Sequence, residues 1–299
     1  MLKMKDQSSE PEVTSKLVDE MIHSILFLGK IKNKPLCPKD IFDGVDDDNN
    51  HHLKEKYPNP FKFYSSQLPR RSPFSCMLDM IVHLKQQNDE NGIKDELAEI
   101  ISKLKDETRK HDKELSSTVL CVSHVNNTDS VKYYGVSMST SGKKSGRIMI
   151  AASCLSFYWD EYVAGAVMTF YPDLMKKPYF DGTFNLSRDA TCRAYNIKNK
   201  SEMKPCKSCS NLFGFQETDP KVWPYGNCAE VESLSKLFKN DDQVKQQSRP
   251  QSDTFTPDNI EKVKDETRKK LKEILNMTKF EKWSGEFYDP SVELTCREG

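Results

Sequence analysis

The hydrophobic period of this chain changes once, near residue 116, and that change sets what it can fold into. Before it, apolar residues recur at the three-and-four spacing of a helix face. Val13, Leu17, Met21 and Ile25 form one such stripe. "SPFSCMLDMIVHLKQQ" opens a second, with Ser72 as cap, Pro73 at the first helical position, and Phe74, Met77, Leu78, Ile81 and Val82 as its buried face. A third carries Ile93, Leu97, Ile100, Ile101 and Leu104. Residues 32–73 are rich in proline and hold the acidic run "DGVDDDNNHH", so they read as loop. That run is no calcium loop: the sixth position from Asp46 is His51, where the sharp turn needs glycine.

After the change, β-branched and aromatic runs take over. "STVLCVSHV" and "VKYYGVSMST" flank "NNTDS", the pattern of a hairpin. "RIMIAASCL" is expected to add a third strand, and "ATCRAYNI" a later one. "FYWDEYVAGAVMTFY" reads as a largely buried helix closed by Pro172. From Cys228, "CAEVESLSKLF" reads as a helix with Val231, Leu234 and Leu237 on one face. "DDQVKQQSRPQSDTF" is polar and reads as a mobile loop. A last helix begins near Pro257, with Ile260, Val263, Leu271, Ile274 and Leu275 as its apolar set. The expectation is a helical N-terminal region with a proline-rich loop over residues 1–115, and an α/β domain over 116–299 in which helices flank a mixed sheet. The hexapeptide "KDETRK" occurs at 105–110 and 264–269, but no fixed period surrounds it and no duplicated domain is implied.

Charge excludes some functions. Lysine plus arginine and aspartate plus glutamate both total 45, so no global field favours nucleic acid or an anionic membrane. No apolar run approaches the roughly eighteen residues of a spanning helix. The start, "MLKMKDQSSEPEV", turns polar where a signal peptide turns apolar, which places the chain in the cytoplasm or nucleus. In such a reducing compartment nine cysteines without framework spacing are free thiols or metal ligands. Cys76, Cys121 and Cys154 lie in apolar stretches and read as small core residues.

One stretch groups side chains for chemistry. "KPCKSCSNLFGFQETDPKVWPYGNCAEVESLSKLF", residues 204–238, holds Cys206 and Cys209 behind Pro205, then Cys228 followed by Ala-Glu. Zinc takes thiolates in tetrahedral geometry, and a C-x-x-C pair on a loop opening a helix puts two sulfurs on one metal. Helix N-termini favour the thiolate form, which suits all three cysteines. Glu230 lies in the first turn after Cys228 and can face the same metal without ligating it. Three thiolates leave one coordination position open, where water becomes a nucleophile near neutral pH and a carboxylate ferries protons. Two other readings stand beside this one. Cys192 gives C-x13-C-x2-C-x18-C, four cysteines that close a structural zinc site with no open position. Three buried thiols without metal are the last reading, with Glu230 an ordinary N-terminal carboxylate.

"PCKSC" together with "CAE" resembles the signature of the zinc-dependent cytidine deaminase-like superfamily, which includes nucleoside and nucleic-acid deaminases. In that family a His or Cys followed by Ala-Glu opens one helix and P-C-x-x-C opens the next, beneath a mixed sheet covered by helices. The resemblance implies Cys206, Cys209 and Cys228 as zinc ligands and Glu230 as acid/base. It implies hydrolytic removal of an amino group from a nucleobase, nucleotide or nucleic acid. The hairpin at 118–138 is similar to the family's opening strands. Chain order departs from the family, which places the Ala-Glu helix before the cysteine pair. Directly after the hairpin stands "FYWDEYVAG", with Asp160 and Glu161 but no ligand. Because the group includes antiviral and editing proteins, the resemblance also suggests innate antiviral defence. A non-catalytic, zinc-stabilised interaction protein on the same fold is the alternative.

The remaining signals are weaker. Of the six histidines, only His124, on the expected hairpin, is placed to reach a metal site. Lys198, Lys200, Lys204 and Lys207, near Arg188, Arg193 and Tyr195, form a basic cluster that reads as a solvated face or as a contact for phosphate or single-stranded nucleic acid. Phe61, Phe63, Tyr64, Arg70 and Arg71 read as packing of the proline-rich segment. No glycine-rich phosphate loop or G-x-S-x-G elbow occurs.

Overall fold

The computed structural model describes residues 1–42, 53–106, 115–127, 130–140, 142–216, 218–278 and 280–291. The acidic run at 43–52, with His51 and His52, lies outside them. The chain is α/β, with small sheets flanked by helices. After a short helical turn at Leu2–Lys5, three longer helices follow: α1 (Pro11–Lys30), α2 (Pro73–Lys85) and α3 (Glu90–Asp106). Short helical turns at Pro38–Phe42 and Pro58–Phe63 interrupt the proline-rich segment. The hairpin is β1 (Val119–Val125) with β2 (Tyr133–Val136), and α4 (Gly142–Leu155) and α5 (Glu161–Met168) follow. Then come β3 (Ala190–Asn196), β4 (Glu202–Met203), α6 (Lys207–Phe213), α7 (Ala229–Asn240), α8 (Asp242–Gln247) and α9 (Pro257–Met277).

The main sheet has the order β2-β1-β3-β4 and is antiparallel, not the mixed sheet expected; a separate two-stranded parallel sheet pairs Leu68–Pro69 with Phe287–Tyr288. Side chains alternate across a strand, so each face has its own cover. Leu120, Val122 and Tyr134 face α2 and α3, packing on Phe74, Leu78, Ile81, Ile93 and Leu97. Cys121 and Ser123 face the other way, toward α7, where the Ser123 and Ser233 hydroxyls share a hydrogen bond of 2.9 Å. Ser72 caps α2 by accepting from the Ser75 amide, with Pro73 in the first turn, as its sequence predicts.

Three further expectations are corrected. The stripe on α1 is rotated: Val13 is exposed, Met21 and Ile25 are half-buried, and Val18, Ile22 and Leu26 are buried. This helix is covered on two sides, by Tyr57 and Met80 on one, while its Phe27 and Leu28 join the central core on the other. A single stripe therefore misplaces its inner face. "RIMIAASCL" is not a strand but the body of α4, where every residue from Ile148 to Leu155 is buried. A run buried on all sides has no period, so helix and strand look alike in it. The polar stretch after α7 is not a free loop: Asp241 caps α8 by accepting from the Val244 amide, and Val244 and Ser248 are buried. Among the described residues no helix is long and apolar enough to cross a membrane.

A buried polar chain ties the N-terminal helices to α7. Glu20 of α1 accepts from Arg71 at 2.7 and 3.0 Å and from Arg70 at 3.3 Å. Arg71 pairs with Asp79 of α2, and Asp79 accepts from Lys236 of α7 at 2.6 Å. Lys236 in turn lies 3.0 Å from Glu232. Glu232 also accepts from Ser75 Oγ at 2.5 Å, Tyr158 OH at 2.8 Å and the Val136 amide at 3.1 Å. Of the residues expected only to pack the proline-rich segment, Arg70 and Arg71 thus anchor a charge network, while Phe61 and Tyr64 do pack against the α1 cluster.

Candidate metal centre

Local sequence brings the site together. Cys206 stands at the N-cap of α6 and Cys228 at the N-cap of α7. The chain between them folds back on α6: Asp219 N donates to Pro205 O at 2.8 Å and Lys207 N to Lys221 O at 2.9 Å. Ser208 closes the return, donating to Trp223 O at 2.6 Å and accepting from the Trp223 amide at 2.9 Å. Gly226 then turns the chain into Cys228 with φ at 95°, a conformation L side chains rarely adopt, and a Cβ there would stand 2.8 Å from Ile150. Gly135 on β2 has a different reason: a Cβ would lie 2.4 Å from Ala229 O and Ser233 N. The strand thus lets the first turn of α7, with Cys228 and Glu230, sit directly on the sheet.

The sulfurs of Cys206, Cys209 and Cys228 all lie within 4.8 Å of one another, with Cys206 and Cys228 3.4 Å apart. Tetrahedral zinc at about 2.3 Å from each sulfur spaces ligand sulfurs about 3.8 Å apart. The three cysteines are therefore close enough to bind a metal ion, and the donor set suits a thiophilic one. Cys209 and Cys206 are buried and Cys228 is half-buried.

Electrostatics single out one sulfur. Hydrogen bonds from the Cys209 and Cys228 thiols push Cys206 down to about 2, against burial, and the facing amides of Cys209 and Ser208 assist. Neither amide closes a regular cap bond. Sharing a proton with Cys206 raises Cys209 and Cys228 well above the usual thiol range. Glu230 is buried, and burial raises its carboxyl to about 7, with the Cys206 charge adding to the rise while its own amide and the Cys209 thiol oppose it. Its carboxyl therefore faces the cluster from α7, yet it does not fall within the group of mutually close ligand atoms.

Cys192 does not complete that group either. It faces Ser123 across the strands and its sulfur lies 3.3 Å from Cys121, outside the group of mutually close ligand atoms. Among the described residues no fourth Cys, His, Asp or Glu joins the cluster. His124 is also elsewhere, with Nδ1 at 2.9 Å from Val125 O and 3.4 Å from Ser130 Oγ. Asp160 caps α5 by accepting from the Tyr162 amide and pairs with Lys245 at 2.8 Å. Of the aromatic residues between the motifs, Phe213 is buried and Phe215 packs on it, while Trp223 is 52% exposed. In the basic cluster Lys200 pairs with Asp95, and Arg193 lies 3.8 Å from Glu202, which blunts its charge.

Sequence reasoning passed over Glu232, two residues beyond Glu230, and Asn227, directly before Cys228. A small cavity of about 10 Å³, room for one water, lies beside Cys228, walled by Glu232, Tyr158 and Ser75. Comparison with protein-family models, curated proteins and solved structures returned no match.

Proposed function

We propose that Cys206, Cys209 and Cys228 hold one zinc ion and that the chain is a hydrolytic deaminase of a nucleobase or nucleotide, similar to the cytidine deaminase-like superfamily. The observation that carries this reading is the convergence of three sulfurs from two helix starts, with the buried Glu230 carboxyl beside them and no fourth protein ligand among the described residues. Bound zinc supplies the Lewis acidity that makes water a nucleophile near neutral pH. The three thiols position that ion through sulfur alone, and Cys192, its sulfur against Cys121, does not supply a fourth ligand. Glu230 accepts a proton at its carboxylate and returns it to the departing amino group, as general base and then general acid. The reversed chain order of the motifs is compatible with this reading, since ligands act by position in space.

The test is ammonia release from cytidine, adenosine, their nucleotides and single-stranded DNA and RNA. Wild type should release ammonia from at least one, and Glu230→Gln should lower the rate by roughly 10² to 10⁴ while keeping metal. No release from any of them by metal-replete protein would overturn the catalytic reading. The alternative, a zinc-stabilised interaction protein, is favoured by enclosure: the cavity beside Cys228 admits a water but no base.

A further inference from the structure

Besides the three-sulfur cluster, a second pair of sulfurs meets in the fold. Cys121 stands on β1 and Cys192 on β3, neighbouring strands of the main sheet. In the strand register Cys121 is opposite Ala194 and Cys192 is opposite Ser123, which makes the two cysteines diagonal neighbours on one face. The Cys192 sulfur takes the diagonal and comes within 3.3 Å of the Cys121 sulfur. A disulfide holds its sulfurs about 2.05 Å apart, so an approach of roughly 1.3 Å joins them. Both are free thiols.

Exposure divides their roles. Cys121 is wholly buried on the sheet face toward α7, two residues from Ser123, which bonds Ser233 of that helix. Cys192 is only half-buried. A reagent from solvent therefore meets Cys192 first, with Cys121 already in contact behind it. Cys154 shows the inert arrangement: it is buried, and its thiol points to a backbone carbonyl, Ala164 O, at 3.9 Å.

We infer that Cys121 and Cys192 form a modification site that peroxide converts to a reversible disulfide, fastening β1 to β3 beneath the helix that carries Glu230. The oxidant is hydrogen peroxide. The Cys192 sulfur attacks one peroxide oxygen, the O–O bond breaks, and the thiol proton leaves with the other oxygen as water. The Cys121 sulfur then attacks the Cys192 sulfenic acid. The S–O bond breaks, and the hydroxyl departs with the Cys121 proton as a second water. The two thiols give up two electrons and one peroxide takes them. A dithiol restores both cysteines by exchange and becomes a disulfide itself. Neither sulfur belongs to the metal cluster, so the link is independent of zinc.

Peroxide titration of the full chain, followed by alkylation, non-reducing digestion and mass spectrometry, reads the link directly. A peptide pair joined through Cys121 and Cys192 should accumulate as both thiols disappear, and dithiothreitol should restore them. Cys192→Ser should slow the loss of the Cys121 thiol by roughly tenfold or more, because peroxide reaches the outer sulfur first. Cys121→Ser should instead leave Cys192 as a sulfenic acid that dimedone labels. Cys121 is a core position, so Cys121→Ala serves if the serine variant does not fold, and the wild-type digest needs neither. A new link joining Cys206 to Cys228 while Cys121 and Cys192 stay reduced would overturn the inference. So would Cys192 reaching sulfinic acid with Cys121 still a thiol, or unchanged thiols at both positions under a dose that oxidises the exposed Cys37. Zinc counted in the same samples keeps the readings apart: metal-free protein that forms the link upholds this site and counts against the metal centre alone.

Discussion

Glu230 and Glu232 stand two residues apart on α7 and have different partners. Glu232 is satisfied by Ser75, Tyr158, Lys236 and the Val136 amide, so it belongs to the scaffold. Glu230 faces the sulfurs. Glu232→Gln should therefore lower stability, read by urea unfolding, while Glu230→Gln should leave the unfolding midpoint nearly unchanged. The opposite ranking would exchange their roles. A second residue-scale consequence concerns acid. His23 is fully buried, stacked on Tyr288 at 3.9 Å, with no well-formed hydrogen bond on either ring nitrogen. Burial lowers it to about 3, the Phe63 backbone opposing only weakly. Unfolded chains then bind a proton that the native state refuses, so stability from His23 is present above about 6.5 and is lost as pH falls toward 3. Its neighbour Asp19 is raised to about 6, chiefly by burial, and carries the opposite sign: its contribution is full below about 4 and lost as pH rises through 6. Between pH 4 and 6 the two oppose each other. Asp19→Asn should steepen the acid-side loss, toward about 1.4 kcal/mol per pH unit, and His23→Phe should reverse the slope. Urea unfolding across pH 4–6.5 reads both; slopes unchanged in both variants would contradict the assignment.

At the scale of elements, the site depends on how closely α7 rests on the sheet. Gly135→Ala places a methyl against the backbone of Ala229 and Ser233, so α7 must shift. The expected cost is about 1–3 kcal/mol in unfolding free energy, with metal affinity falling as Cys228 moves away from Cys206. Full metal content with unchanged stability would show that the close approach is dispensable. How much of these elements was legible follows from where their information lies. The caps and faces of α2 and α7 are local: Ser72 and Pro73 open one, and Val231, Leu234 and Leu237 stripe the other. The cysteines converge as expected, with Cys206 and Cys228 at the N-caps of α6 and α7 and Cys209 in the first turn of α6. The run in α4 carried no such signal, since burial on all sides erases the period. The partnership of Cys192 with Cys121 is set by register between β1 and β3, which composition does not reveal.

For the molecule as a whole, the helical segment ahead of the hairpin is not merely attached. Its α2 and α3 cover one face of the sheet, and the chain from Glu20 through Arg71, Asp79 and Lys236 to Glu232 joins it to the helix that carries the site. Burial works against ionisation of Asp79, but Lys236 and Arg71 outweigh it and hold the carboxyl below its usual range. Buried ion pairs are weak as net stabilisers, yet removing one partner strands the other. Arg71→Met should cost about 3–5 kcal/mol, and Glu20→Gln combined with it should cost less than the two changes summed. Whether the three sulfurs hold zinc is read by X-ray absorption at the zinc edge. One equivalent of zinc, with three sulfurs at about 2.3 Å and one oxygen or nitrogen, is the expected result. It should survive Cys192→Ser and vanish with Cys228→Ser. Four sulfurs around the ion, or metal-free protein that melts alike with and without chelator, would contradict the account.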